Sequence, residues 1–137
     1  MTLTSILIGL AAAFVVFFAQ PLLLQAAASV SGEKPAGYFA SFAALISATI
    51  ANAITGTLYG LTLGALIAGI NSTLAIFVGV MFAFIVSGIT YSAFLRVPVF
   101  NGVKVALVHH VIAALFTGTI ALMLHTLSGL GLFVLAF

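Results

Sequence analysis

The sequence predicts an all-α integral membrane protein: a four-transmembrane-helix bundle with short connections, forming one domain over residues 1–137. Three observations carry that expectation. Of 137 residues, 65% are hydrophobic and only 3% are charged. An ordinary soluble domain carries about a quarter charged residues, so a water-soluble globule is excluded. Four apolar segments each exceed the ~20 residues that an α-helix needs to cross ~30 Å of hydrocarbon. Between them lie short stretches that hold Pro, Gly or Asn and most of the charge. Disorder is excluded as well, because it needs low hydrophobicity and high charge.

The first span is expected over about residues 3–28. Ala26-Ala27-Ala28 resembles a small-residue cleavage site. The segment start nevertheless has no Lys or Arg, and the apolar run exceeds the usual length of about 7–15 residues for a secretory signal. A retained span is therefore expected. Gln20-Pro21 interrupts it. Pro removes a backbone donor and kinks the helix, and Gln20 could fill a backbone group freed by that kink. The connection Ser31-Gly32-Glu33-Lys34-Pro35-Ala36-Gly37 is polar and breaks helix.

The second span, about residues 38–70, carries the clearest pattern in the chain. Small or polar residues recur every fourth position, including Ala48, Asn52, Gly56, Gly60 and Gly64. Such spacing lets helix backbones approach closely in lipid, where association depends on packing rather than on the hydrophobic effect. A polar stripe runs along the same helix through Ser41, Asn52, Thr55, Tyr59 and Thr62. Ser and Thr satisfy themselves on their own helix carbonyls. Asn52 cannot fully do so and needs a partner or water. Together with Gln20, the residues Asn52, Thr55, Tyr59 and Thr62 make a candidate polar pathway.

A weak break near Asn71-Ser72 leads into the third span, about residues 72–94, with either residue able to cap it. This helix repeats the small-residue spacing in Ala75, Gly79, Ala83 and Ser87. Arg96-Val97-Pro98-Val99-Phe100-Asn101-Gly102 reads as a turn with Pro and Asn-Gly as breakers. The fourth span then follows over about residues 103–127, with Ala106, His110, Ala114 and Gly118 at four-residue spacing. Whether the tail at 130–137 continues that helix is left open.

Orientation follows from three basic residues. Lys34, Arg96 and Lys104 all fall at one end of an even-span bundle. The positive-inside rule makes that end cytoplasmic and both termini external, as in a bacterial inner membrane.

Chemistry is confined to a few side chains. With no Cys there is no disulfide or thiolate site. With no Asp, and with the single Glu in a connection, no Ser-His-Asp triad or carboxylate-coupled ion pathway has a candidate. A net charge of +2, scattered, does not suggest nucleic-acid binding. His109, His110 and His125 all lie on the fourth span, and ionisable groups inside a membrane are functional candidates by default. His110 and His125 stand ~22 Å apart along the helix and cannot share a metal. His109 and His110 differ by ~100° around it, so only one is expected to face the bundle interior. Their spacing demands no cofactor. The small Ala106 one turn before His110 could seat haem b or another tetrapyrrole, with a second axial ligand from another chain, and the same histidines could relay protons or lie beside a quinone.

The main expectation is therefore a small membrane subunit, not an enzyme, packing through Gly and Ala faces into a homo-oligomer or a larger complex. Its packing residues are Ala48, Asn52, Gly56, Gly60, Gly64, Gly79, Ala83 and Gly118. A channel or transporter lined by the second helix, and an electron-transfer subunit using the histidines, are the alternatives.

Overall fold

The long apolar segments wind into four helices that are joined by short breaks in the computed structural model, which describes residues 3–129. The tail at 130–137 lies outside the described residues. Helix α1 spans Leu3–Val30, α2 Tyr38–Tyr59, α3 Ser72–Leu95 and α4 Val99–Gly129. A π-helical turn at Gly60–Gly64 and one α turn at Ala65–Ala68 continue α2. Among the described residues there is no strand. Four helical stretches, ending at Val30, Ala68, Leu95 and Thr126, are long and apolar enough to cross a membrane.

Each break has a local cause. Gly32 takes a left-handed φ of 81°. The Glu33 N–H reaches the Ala28 carbonyl at 2.9 Å and the Gly32 N–H reaches that of Ser29 at 3.0 Å, the paired bonds of a Schellman end. Asn71 caps α3 through its side-chain oxygen, which accepts from the Leu74 N–H at 3.0 Å. Arg96 closes α3 in the left-handed region at φ 56°, and Pro98 follows, where a helix cannot continue backwards.

Two boundaries differ from the sequence reading. The α4 helix begins at Val99 and not near 103, so Asn101-Gly102 lies in its first turn and does not break it. Gly102 is there for proximity: a Cβ on it would strike the Gly88 carbonyl oxygen, and would stand 2.7 Å from Ser92 Cβ. A Cβ on Gly88 would in turn strike Val103. These two glycines set the closest approach of α3 and α4. The other difference is the π turn, whose extra residue rotates all that follows by about a quarter turn relative to a straight α-helix. The four-residue stripe is thereby split. Gly64 faces inward and is buried, whereas Gly56 and Gly60 are exposed.

Consecutive helices are neighbours and α4 closes on α1, giving an antiparallel ring in which α3 makes the most extensive contacts, with α4 on one side and the second span on the other. The core consists of Leu24, Ala27, Ala28, Ala44, Ala48, Tyr91, Val105 and Ala106. All of these lie in the half of the bundle that carries the 31–37 and 96–98 connections. That end is also tied by polar contacts: Lys104 Nζ donates to the Ser31 carbonyl at 2.9 Å, and Asn101 Nδ2 donates to Glu33 Oε1 at 2.7 Å. Beyond it α1 and α4 bury nothing more, while α2 and α3 stay in contact through Tyr59, Gly64 and Ala75. In α1 no described side chain before Pro21 is buried, and in α4 none after His109.

Gly88→Val or Gly102→Val should cost about 3 kcal/mol or more, because backbone rather than a flexible side chain stands in the way. Gly56→Val should fall within about 1 kcal/mol of the parent. Unfolding in mild detergent, followed by circular dichroism, checks the contrast.

Candidate functional site

Where the packed half ends, the four helices leave a cavity of about 400 Å³. Gln20 from α1, Asn52 from α2, Ser87 and Tyr91 from α3, and His109 and His110 from α4 line its polar part. At 1.5 Å per residue, these groups stand about 6–21 Å from the connection end of their helices, so most lie near half-height. Pro21, which is fully buried, sits beside Gln20 at the rim. Its ring cannot donate to the carbonyl one turn back. The Tyr38 hydroxyl reaches this turn and donates to the Phe18 carbonyl at 3.0 Å.

The two adjacent histidines both line the cavity, with ring centroids 5.5 Å apart. The expectation that only one could face inward assumed a narrow interior, and this one is wide enough for both. His109 is buried, and its Nδ1 pairs with the Tyr91 hydroxyl at 3.2 Å. His110 is half-buried; its Nδ1 lies 2.7 Å from the Ala106 carbonyl. A carbonyl only accepts, so His110 Nδ1 carries the proton and Nε2 keeps the lone pair. That ring can accept a hydrogen bond or a proton, or ligate a metal ion. His125 lies ~22 Å along the helix from His110 and is exposed. Among the described residues no group of three His, Cys, Asp or Glu converges on one point.

The second-helix polar stripe is divided in its roles. Asn52 Nδ2 donates to Ser87 Oγ at 2.8 Å, joining α2 to α3. Thr55 and Thr62 donate to the Ala51 and Leu58 carbonyls of their own helix. Tyr59 donates to the Ala75 carbonyl at 2.7 Å. Its ring lies where a Cβ on Gly64 or Gly79 would have to go, so Tyr59 pins the far end of α2 to α3. Only Asn52 and Gln20 of the proposed pathway reach the main cavity. Asn52 also borders a small void of about 30 Å³ shared with Thr55, Gly56, Tyr59, Gly79, Phe82 and Ala83.

The small residues sort equally clearly. Ala48 is buried in the core, Gly64 and Gly79 receive the Tyr59 ring, and Ala83 borders the void. Nothing stands within 4 Å of a Cβ built on Gly56, Gly60 or Gly118, although Gly56 borders that same void and Gly60 a shallow groove between the second span and α3. The sequence reading passed over Tyr91. A signal was there: a phenol inside an apolar helix needs a partner, and histidines are the only ring nitrogens in the spans. No family model, curated protein or solved structure matches this chain.

Asn52→Ala and Ser87→Ala should be non-additive by about 1 kcal/mol in a double-mutant cycle, since each removes the other's partner. Tyr91→Phe should cost about 1–3 kcal/mol by stripping His109 of its one protein partner. Equilibrium unfolding in mixed micelles measures both.

Proposed function

We propose that the chain is an integral membrane subunit that works by assembling with other membrane helices, in the first instance with copies of itself. In this reading Lys34, Arg96 and Lys104 mark the cytoplasmic end and both termini lie outside, as in a bacterial inner membrane.

One observation carries the reading: α1 and α4 pack over only about half their length, and the outer half of the molecule keeps glycines whose side-chain space nothing in the chain fills. Gly56 and Gly60 on α2, and Gly118 on α4, have open space where a side chain would stand. Elsewhere in the same molecule glycine is used for close contact, as at Gly88 and Gly102. Lipid tails are as apolar as Leu, so bare backbone gains nothing from facing them. A neighbouring helix gains close van der Waals contact. The outer halves of α1 and α4 are meanwhile dressed in large exposed apolar side chains such as Leu10, Phe14, Leu115 and Leu122, which suit lipid or a partner equally. The small-residue faces are what distinguish a partner.

The chain has no Cys, so single-Cys variants report without background. In native vesicles, Cys at Gly56, Gly60 or Gly118 should form linked dimers on mild oxidation. Cys at Leu10 or Leu115, among large exposed apolar side chains, should not. Equal behaviour at all five positions sinks the assembly reading. Gly56→Leu with Gly60→Leu should reduce the oligomer at least tenfold while leaving helix content unchanged.

A further inference from the structure

The half-height cavity holds two polar atoms that the fold buries and leaves unpaired: His109 Nε2 and Asn52 Oδ1. A buried donor or acceptor without a partner costs about 1–3 kcal/mol, so two on one cavity call for an occupant. Their chemistry can be assigned from the contacts around them. Tyr91 is almost fully buried, and its hydroxyl has His109 Nδ1 as its partner at 3.2 Å. The phenol hydrogen needs an acceptor, so Tyr91 donates and His109 carries its own proton on Nε2. His109 thus offers a donor. Asn52 spends its amide N–H on Ser87 and offers an acceptor at Oδ1. His110, with Nδ1–H given to Ala106, offers a second acceptor at Nε2.

A group that both accepts one hydrogen bond and donates one matches this set. A ketone or ester carbonyl accepts only, and would leave the Asn52 oxygen unpaired. The group is also neutral, because no Asp, Glu, Lys or Arg lines the cavity. Water satisfies the hydrogen bonds but not the space: about 400 Å³ is far larger than the ~30 Å³ share of one water. Thr49 also lines it but donates its hydroxyl to the Leu45 carbonyl of its own helix, and the larger apolar walls are Phe17, Phe42, Leu45, Ile46 and Ile50. Of these, Phe17, Ile46 and Ile50 are also exposed on the outer surface between α1 and α2, which gives the cavity an apolar side entrance.

We propose that this cavity binds a neutral, hydroxyl-headed amphiphile drawn sideways from the lipid phase, its hydroxyl accepting from His109 Nε2–H and donating to Asn52 Oδ1 or His110 Nε2. The site rests on the membrane reading above for its medium but not on the assembly reading, since one chain supplies every wall.

The test uses the full chain in phosphatidylcholine vesicles and a sixteen-carbon alcohol bearing a diazirine near its hydroxyl end. The fatty acid and the hydrocarbon of the same length and diazirine position serve as comparisons. On irradiation, the alcohol should label the Phe17, Ile46 and Ile50 rim at least tenfold above the hydrocarbon and above the acid. Asn52→Leu and His109→Phe should each lower alcohol labelling to the hydrocarbon level, with helix content and elution volume unchanged. Should His109→Phe fail to fold, Asn52→Leu and His110→Phe carry the same readout. Equal labelling by alcohol and hydrocarbon, stronger labelling by the acid, or alcohol labelling untouched by these variants overturns the proposal. Hydrocarbon labelling at Ile76 and Leu115 reports the membrane reading separately: if it is present without an alcohol preference, only the cavity proposal fails. If it is absent, both fail.

Discussion

The architecture hangs on the place where Gly88 and Gly102 let two backbones touch. In a bilayer, helices this apolar would gain little by hiding from a medium as apolar as themselves, and their pairing would depend on how closely their surfaces fit. Removing two Cβ atoms brings α3 against α4, and the rest of the connection end follows. Val105, Ala106 and His109 are carried into the interior against Leu24, Ala27 and Tyr91. Asn101 and Lys104, one residue before and two after Gly102, are placed where they reach Glu33 and Ser31. Thus the few charged side chains of the molecule help to fasten the end that the glycines bring together.

The half-height cavity follows from the same constraint. Buried side chains fill the fastened half; in α1 and α4 that filling ceases beyond Pro21 and His109, and in α2 and α3 it thins to Gly64 and Ala75. Polar groups collect at the boundary, because there they can still reach across the bundle to another helix. Asn52 finds Ser87 and Tyr91 finds His109. The orphaned atoms of Asn52 and His109 are the remainder of that pairing. On the far side a separate contact takes over, with the Tyr59 ring seated over Gly64 and Gly79.

Hydropathy was enough to read the four helices and their order, because length and apolar content are additive properties of a segment. Helix ends were legible where chemistry was local, as with the Asn71 cap and the Gly32 turn. What escaped were positions whose meaning depends on a distant backbone. Asn101-Gly102 looks like a breaker, and only the presence of Gly88 across the interface makes its glycine a contact. Ser87 was singled out on α3 while Gly88 beside it sets the approach. The π turn left no mark in residue type, since its glycines continue the four-residue spacing that it disrupts. Of the candidate site, Asn52, His109, His110 and Gln20 were legible as polar groups in apolar helices. Tyr91 carries only the weaker signal of a phenol that needs a partner, and the phenylalanine walls carry none, because phenylalanine is common in such helices for other reasons.

The π turn at Gly60–Gly64 has a consequence for how this chain tolerates change in length. A π turn is an α-helix holding one residue more than it needs. Deleting a single residue there need not break the helix; it restores the ordinary winding and turns the outer end of α2 back by about a quarter turn. Small residues now split between two faces would realign along one, while the Tyr59 clasp on α3 would lose its seat. The molecule thus stands one codon away from a different outer surface over an unchanged inner half.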